Sequence, residues 1–503
     1  MTRRRAAIHG FAWGGLAGLA LVALMYLASA VLGLRPLPQA LNEPLLAIMP
    51  GFVFGFLIDT LQHAGKVVEE VGLIVAMVVA LGVLGAAWAV TALRWRFAYS
   101  ALVFSAAGWA VVVMVLLPVA GSGFLGLNDG PTTPLVWAAL FAVFGVLLPA
   151  GGQAGGQAAG VAEPADPDRR RLLSALPLGI GAVSLGFLGV LRAPSWYQAI
   201  ANPAEAALTG ISPEITPVAN FYIVSKNFTD PRVDGNNWRL SIGGNVDQAL
   251  KLSLAELRAL PSSTEFVTLE CISNDVGGPQ MSTGSFTGVK MSDLIAMASP
   301  RDTGTWAAFK AFDDYAESLP MSVINHDPTI LVAYDLDGAP LPTGHGYPAR
   351  VLVPGRYGMK GPKWLVSIDL VDHESGGFWE QHGWDHEAVV KTTSRFDEPR
   401  DGDIVKLGTI SLAGVAFAGA RGISAVEYST DGGASWTPAK FSQPLSSLTW
   451  VLWKATWTAQ SEGSYALKVR ATDGTGAVQE TRVGPSYPTG SSGYHTIRVD
   501  VSK

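Results

Sequence analysis

The chain changes character near residue 200. Ala, Val, Leu, Gly and Phe dominate what comes before, whereas almost all Asp, Lys and Asn lie after residue 220. Several of the early apolar stretches are as long as the roughly 20 residues that cross a bilayer core of about 30 Å. A chain divided this way cannot bury both parts in one water-soluble core, so it places a membrane section before a soluble one. Apolar runs at residues 11–32, 71–93, 97–119, 135–148 and 172–191 predict five spans. A sixth run, 45–61, is interrupted by Pro50, two glycines and Asp59. If it does not span, the basic groups around Arg3 to Arg5, Arg94 to Arg96 and Arg169 to Arg171 all fall on one side, as the positive-inside rule requires. The expected arrangement is multi-pass in the cell (inner) membrane, with the N-terminus inside and everything after Arg192 extracytoplasmic.

Two connections follow from composition. Residues 150–168 are a Gly, Gln, Ala and Pro mixture suited to a flexible cytoplasmic loop, and Pro194, Pro203, Pro213 and Pro217 suit an extended tether over residues 193–218. Asp168, Arg169, Arg170, Arg171, Leu172, Leu173 and Ser174, followed by a Gly-rich apolar stretch, resemble an internal twin-arginine export signal. A plain basic anchor at the foot of a helix reads the same. The net charge of −6 gives no nucleic-acid footprint.

From Phe221 onward, short alternating apolar segments broken by Gly, Pro and Asn predict strands with turns and a few helices. Trp238 to Ile242 alternates as a strand. Ser253 and Glu256 form a capping-box pattern that opens a short helix. Phe266 to Glu270 is strand-like and delivers Cys271, the single cysteine in 503 residues, to a loop rich in Asn and Gly. A lone cysteine is either a small buried hydrophobe or a reactive or metal-binding thiol. Further on, Gly344, His345, Gly346, Tyr347, Pro348, Ala349 and Arg350 lead into a strand, followed by Gly361, Pro362, Lys363, Trp364 and Leu365. His, Arg and Lys on Gly-permitted backbone make a cradle for a phosphate-bearing ligand, and a solvated basic loop would look similar.

Together these motifs resemble the sulfite oxidase family of mononuclear molybdenum enzymes, over roughly 280 residues from Phe221 to the C-terminus. The resemblance implies a molybdenum–molybdopterin cofactor, with Cys271 as thiolate ligand, and soft thiolate ligation suits such a centre. It places Asn274 in the cysteine loop, His345 and Arg350 on the pterin and its phosphate, and Lys363 on the cofactor. Lys226 and Asn227 fall where sulfite oxidases have Arg and Asn, and Asp313 where an acidic residue near the pterin is expected. Two positions depart from the pattern. Val276 stands where an anion-binding Arg is found, and Trp384, in the run Phe378, Trp379, Glu380, Gln381, His382, Gly383, Trp384, stands where the family has an active-site Tyr. Trp donates one hydrogen bond and is no phenol. The pocket is therefore less cationic and bulkier than one built for sulfite.

The implied reaction is two-electron oxygen-atom transfer, with the protein supplying orientation and electrostatics. Reduction of a sulfoxide, small or in a protein, or of an N-oxide suits this pocket better than sulfite oxidation, which is the alternative. A membrane-anchored binding protein without cofactor is the non-enzymatic alternative, and the absence of paired broken helices disfavours a transporter. The last hundred residues read as an all-β, immunoglobulin-like sandwich, with Trp436, Trp450, Trp453 and Trp457 in core and inter-sheet packing. Carbohydrate binding is a second reading of those tryptophans. The resemblance makes this a dimerisation-type domain and implies a homodimer. The expected division is 1–192 membrane domain, 193–218 linker, 219–398 α+β molybdopterin domain and 399–503 β-sandwich. His9 and His63 are the only histidines of the membrane section and cannot pair as axial haem ligands. Electrons are thus expected to pass to or from a separate protein or a quinone, and the spans either anchor the chain or dock that partner.

Overall fold

The computed structural model of the chain describes residues 2–50, 64–93, 100–154, 167–200, 210–227 and 230–503, with Val53, Leu57 and Leu61. It divides into two compact units, Met1–Met49 with His63–Ile200, and Pro50–Gln62 with Ala201–Lys503.

The first unit is helical. Three helices, Arg3–Leu32, Ala64–Ala92 and Ser100–Val119, are long and apolar enough to cross a membrane. The two remaining expected spans fall on Thr133–Pro149 and Gly179–Pro194, apolar runs of fewer than 18 residues among those described. Five spans is therefore corrected to three. The helix Thr133–Ala154 that contains the fourth continues through Pro149, and the helix Pro167–Ile200 that contains the fifth continues through Pro194 rather than yielding to a tether there. The doubtful run 45–61, the basic pair Arg94 and Arg96, His63, and much of the connections 150–168 and 193–218 lie outside the described residues. The first two helices approach closely because small residues face each other: a Cβ on Gly14 would lie 2.9 Å from the Gly85 Cα. At one end of the bundle the fully buried Glu70 accepts hydrogen bonds from Tyr26 Oη (2.8 Å) and Trp196 Nε1 (2.6 Å), and pairs with Arg192 at 2.8 Å. Three helices are thereby tied through one carboxylate whose burial demands those partners.

The second unit begins with strands β1 (Arg239–Gly244), β2 (Leu250–Ser253), β3 (Ser263–Glu270), β4 (Met281–Lys290), β5 (Trp306–Ala311), β6 (Ala316–Pro320), β7 (Leu331–Leu336), β8 (Ala339–Pro340), β9 (Arg350–Leu352) and β10 (Leu365–Val371). One sheet runs β2–β1–β10–β5–β6, and β1 is parallel to β10. A second runs β3–β4–β7–β8, with β9 also paired to β7. Leu240, Ile242, Phe309, Val332 and Ile368 share one buried core with the helix Met291–Met297. The capping box at Ser253 opens the helix Leu254–Ala259 as its sequence requires.

Strands β11 (Thr393–Glu398), β12 (Ile404–Lys406), β13 (Gly408–Phe417), β14 (Ile423–Ser429), β15 (Thr437–Pro438), β16 (Lys440–Phe441), β17 (Val451–Ala459), β18 (Gly463–Asp473) and β19 (His495–Ser502) complete the chain. They form two sheets, β11–β13–β17–β16 and β12–β19–β18–β14–β15. Alternation sets the core: along β19, Ile497, Val499 and Val501 point inward between exposed residues. Trp453 is 1% exposed within that core, and its Nε1 donates to the Arg395 and Val415 carbonyls. Trp450 has a different place. It is buried where the sandwich meets the first part of the unit, with its backbone N–H on Thr268 Oγ1 (2.9 Å) and its indole N–H on the Glu214 carbonyl (3.1 Å). Trp457 is half-buried at the core edge, and Trp436 lies against Arg470 and Tyr494.

Candidate active site

The end of β3 holds Cys271 because its ladder with β4 continues one step further: the Cys271 N–H donates to the Gln280 carbonyl at 3.0 Å. The loop between is braced by Asn274, whose Nδ2 donates to Glu270 Oε1 (3.0 Å) and whose Oδ1 accepts from the Gln280 N–H (2.9 Å). Bonds from the sandwich close it from outside, Arg395 to the Gly278 carbonyl (2.7 Å) and Ser491 Oγ to the Asn274 carbonyl (2.7 Å). Cys271 Sγ lies 3.1 Å from Ser273 Oγ. Burial pushes the thiol up and the contact with Ser273 opposes that shift. A metal cation reverses the balance, because coordination deprotonates a thiol outright.

Cys271 faces a cavity also lined by His345, Arg350 and Lys363. Gly346, at φ 107°, lets the loop carrying His345 fold against the next two segments, since a Cβ there would lie 3.0 Å from that of Lys363 and 3.1 Å from that of Arg350. Arg350 is buried and its guanidinium meets only carbonyls, of Val351, His345 and Gly361. Lys363 Nζ donates to the Val224 and Gly344 carbonyls at 3.0 Å each. Among the described residues neither forms an ion pair. Burial depresses all three bases: His345 falls to about 3, with Arg350 and Lys363 adding to the fall, Arg350 to about 10 and Lys363 to about 8. Two buried cations, Arg350 and Lys363, stand beside an uncharged His345 without an ion pair among the described residues, and although Asp230 and Asp313 offset part of the cost at Lys363, the arrangement is one that an anionic ligand relieves.

Lys226 and Asp313 line the same cavity. Asn227 stands behind it, its Nδ2 donating to Asp313 Oδ2 at 2.8 Å. Of the nine residues singled out in the sequence, seven therefore line the cavity, while Asn227 and Asn274 support it from outside. Lys226 Nζ lies 5.3 Å from the centre of the Phe378 ring. Opposite, Trp384 is 3% exposed and its Nε1 has no acceptor among the described residues. A buried donor without a partner is costly. Val276 is outside the cavity lining.

Sequence reasoning missed Trp379, Tyr222, Tyr315 and Met359, which also line the cavity. Trp379 had a signal, since it lies in the same short run as Trp384. Tyr222 and Tyr315 lie in loops and Met359 in the short 3-10 turn Gly358–Lys360, with no spacing to mark them.

A thiol and two buried cations without ion pairs among the described residues suit an anionic, thiolate-ligated cofactor, and molybdopterin, with its dithiolene and phosphate, fits those groups. Residues 227–379 match the oxidoreductase molybdopterin binding domain, and residues 386–501 match the Mo-co oxidoreductase dimerisation domain. Human mitochondrial sulfite oxidase is 29% identical over 286 residues, covering 48% of this chain and 52% of that protein. The protein-methionine-sulfoxide reductase catalytic subunit MsrP of Ralstonia nicotianae is 30% identical over 240 residues, covering 42% of this chain and 71% of that protein. The crystal structure of the sulfane dehydrogenase SoxCD from Paracoccus pantotrophus has the same fold, with TM-score 0.53 at 22% identity over 60% of this chain and 86% of that one. The chain belongs to the sulfite oxidase family of molybdopterin-dependent oxidoreductases. It spans about half the length of the human relative it matches.

Proposed function

We propose that this protein is a membrane-anchored molybdenum oxidoreductase that reduces a neutral oxide, a sulfoxide or N-oxide, rather than oxidising sulfite. The cofactor, when bound, supplies two-electron oxygen-atom transfer. Cys271 would hold its metal, and His345, Arg350 and Lys363 its anionic groups, with Asp313 and Asn227 beside them.

The observation that carries the choice of substrate is the part of the cavity lining not assigned to the cofactor. A sulfite dianion calls for several cations, yet that part offers Lys226 with Trp379, Met359 and Trp384. The apolar side chains suit the organic arms of a sulfoxide, and the unpartnered Trp384 N–H suits its single polar oxygen. One relative in the family is a protein-methionine-sulfoxide reductase subunit, which supports the same direction. The arrangement of the catalytic part outside the cell membrane, with three helices as anchor, rests on the positive-inside reading of the basic groups. The two-sheet C-terminal part supports an immunoglobulin-like, homodimer-forming role, and the electron partner is a separate protein or a quinone.

Oxidation of a reduced dye by a panel of sulfoxides and N-oxides, run beside sulfite oxidation with an artificial acceptor, tests this. Turnover on the oxides is expected. Rapid sulfite turnover with none on the oxides would refute it.

A further inference from the structure

Beneath the tryptophan wall lies a buried ionic network that oxide reduction as proposed above does not use. Lys360 follows Met359 in sequence, Glu380 follows Trp379, and Glu317 lies two residues beyond Tyr315. Each of those three neighbours lines the cavity. The Lys360 ammonium is 2.6 Å from Glu317 Oε1 and 2.5 Å from Glu380 Oε1, and all three side chains are exposed by 3% or less. Two carboxyls thus share one ammonium away from water. Glu380 Oε2 also accepts from the Gly377 N–H at 2.6 Å, and Glu317 Oε1 from the Ser318 N–H at 2.8 Å. Glu317 Oε2 has no partner among the described residues. It lies against Gly377, where a Cβ would come within 2.4 Å of it. On the far side the network reaches solvent, since Glu380 Oε2 is 3.7 Å from Nδ1 of the exposed His386, which lies 2.9 Å from Glu374 Oε1.

Ligand atoms of Glu374, Glu380 and His386 lie within 4.8 Å of one another, but both oxygens of Glu380 are already engaged, Oε1 by Lys360 and Oε2 by the Gly377 N–H. The network is better suited to hold a proton. With both carboxyls ionised it carries one uncompensated negative charge. A proton on Glu317 removes that charge. Burial pushes Glu317 up to about 8, Lys360 opposing and Glu380 reinforcing the shift. For Glu380 burial acts in the same sense, yet Lys360 and the Gly377 N–H hold it below the ordinary carboxylate range. Tyr315, whose hydroxyl donates to the Met359 carbonyl at 2.6 Å, is the other ionisable group facing Glu317. His386 is raised by its bond to Glu374, with the charge of Glu380 adding and that of Lys360 opposing.

We propose that Lys360, Glu317 and Glu380 are positioning residues for the Trp379 and Trp384 wall, holding it in the substrate-accepting geometry while Glu317 keeps its proton and releasing it when that proton leaves. The lever is short. Glu380 caps the turn Phe378–Gln381 through Gly377, and the Trp384 backbone N–H donates to the Trp379 carbonyl at 3.1 Å, so moving the turn moves both indoles. Because the folded value of Glu317 lies above its unfolded one, its hold on the turn is complete at low pH and lost as pH rises through about 8. The inference rests on the cavity being the substrate site.

The test is fluorine NMR of the full-length, cofactor-loaded protein in detergent with fluorotryptophan incorporated. The Trp379 and Trp384 resonances are assigned by Phe substitution and followed from about pH 6 to about pH 10, two units either side of an expected midpoint near 8. Both resonances are expected to titrate together with a midpoint near 8, and Glu317→Gln, which mimics the protonated side chain, to abolish the titration. In turnover, KM for the oxide should rise by about tenfold or more across the same window with kcat less affected, since a misplacement near 1 Å can cost about a hundredfold. In Glu317→Gln that rise should vanish. Lys360→Arg should retain the wild-type profile and Lys360→Met lose it. If Lys360→Met fails to fold, Glu317→Gln carries the test alone. Resonances that stay fixed with pH, or that titrate unchanged in Glu317→Gln, overturn the proposal. The expected titration in a protein that turns over no oxide would uphold the clamp and instead overturn the proposed reaction.

Discussion

Replacing Lys363 with Met should have opposite effects on the cofactor-free and cofactor-loaded protein. Burial lowers Lys363 from 10.5 to about 8, so keeping it charged costs the empty fold about 3 kcal/mol at roughly 1.4 kcal/mol per unit. Met keeps much of the stem and removes that cost. It also strips the Val224 and Gly344 carbonyls of their donor, at about 1 kcal/mol each. The cofactor-free protein should therefore gain about 1 kcal/mol near neutral pH, a rise in Tm of about 2–4 °C for a unit of this size. The sign has a pH signature. Between about 8 and 10.5 the unfolded chain binds the proton that the folded one has lost, so wild-type stability rises with pH there. That slope should be missing in the variant. In the loaded protein the same change removes a charge-assisted hydrogen bond worth about 1.5–3 kcal/mol, loosening pterin by about ten- to a hundredfold. Thermal unfolding of full-length chain from hosts with and without the cofactor pathway, with pterin retained after dialysis, measures both. A variant that destabilises the empty protein and keeps its pterin refutes the reading of Lys363 as an uncompensated anion-binding cation.

Trp384→Phe keeps the ring wall and removes the orphaned N–H, so kcat/KM on sulfoxides should fall by about tenfold, the worth of one neutral hydrogen bond, with no gain in sulfite oxidation. Equal rates in steady-state assays of the two proteins would show that no substrate oxygen meets that donor. In the helical unit, Glu70→Gln leaves Arg192 buried without its carboxylate and should lower stability by about 3–5 kcal/mol. Adding Arg192→Met should recover much of it, as read by thermal unfolding in detergent. A loss below about 1 kcal/mol, typical of an exposed pair, would mean that Glu70 is solvated.

The sequence predicted most where chemistry and period are local. The strand before Cys271, the capping box at Ser253 and the alternation from Trp238 to Ile242 depend on neighbours a few residues apart, and they are present in the structure. Cys271, His345, Arg350 and Lys363 were singled out by the family resemblance of several motifs in order, and the structure gathers them in one cavity. Two things were not legible. Hydropathy over residues 135–148 and 172–191 measures composition, and the described apolar stretches there, Thr133–Pro149 and Gly179–Pro194, hold fewer than 18 residues. The Lys360 network joins residues 43 and 20 positions apart on separate segments, each looking like an ordinary surface charge in its own run. Only the fold shows that they are buried together under the cavity wall.

The central claim is that Cys271 bonds to molybdenum in a cavity whose cations hold the pterin. X-ray absorption at the molybdenum edge, on full-length wild type and Cys271→Ser made in a molybdenum-cofactor-competent host, tests it most directly. Stoichiometric molybdenum is expected in the wild type, with one sulfur neighbour fewer, or loss of the metal, in a Cys271→Ser protein that remains folded. An unchanged sulfur shell in Cys271→Ser, or a wild-type protein that takes up no molybdenum, would contradict the account.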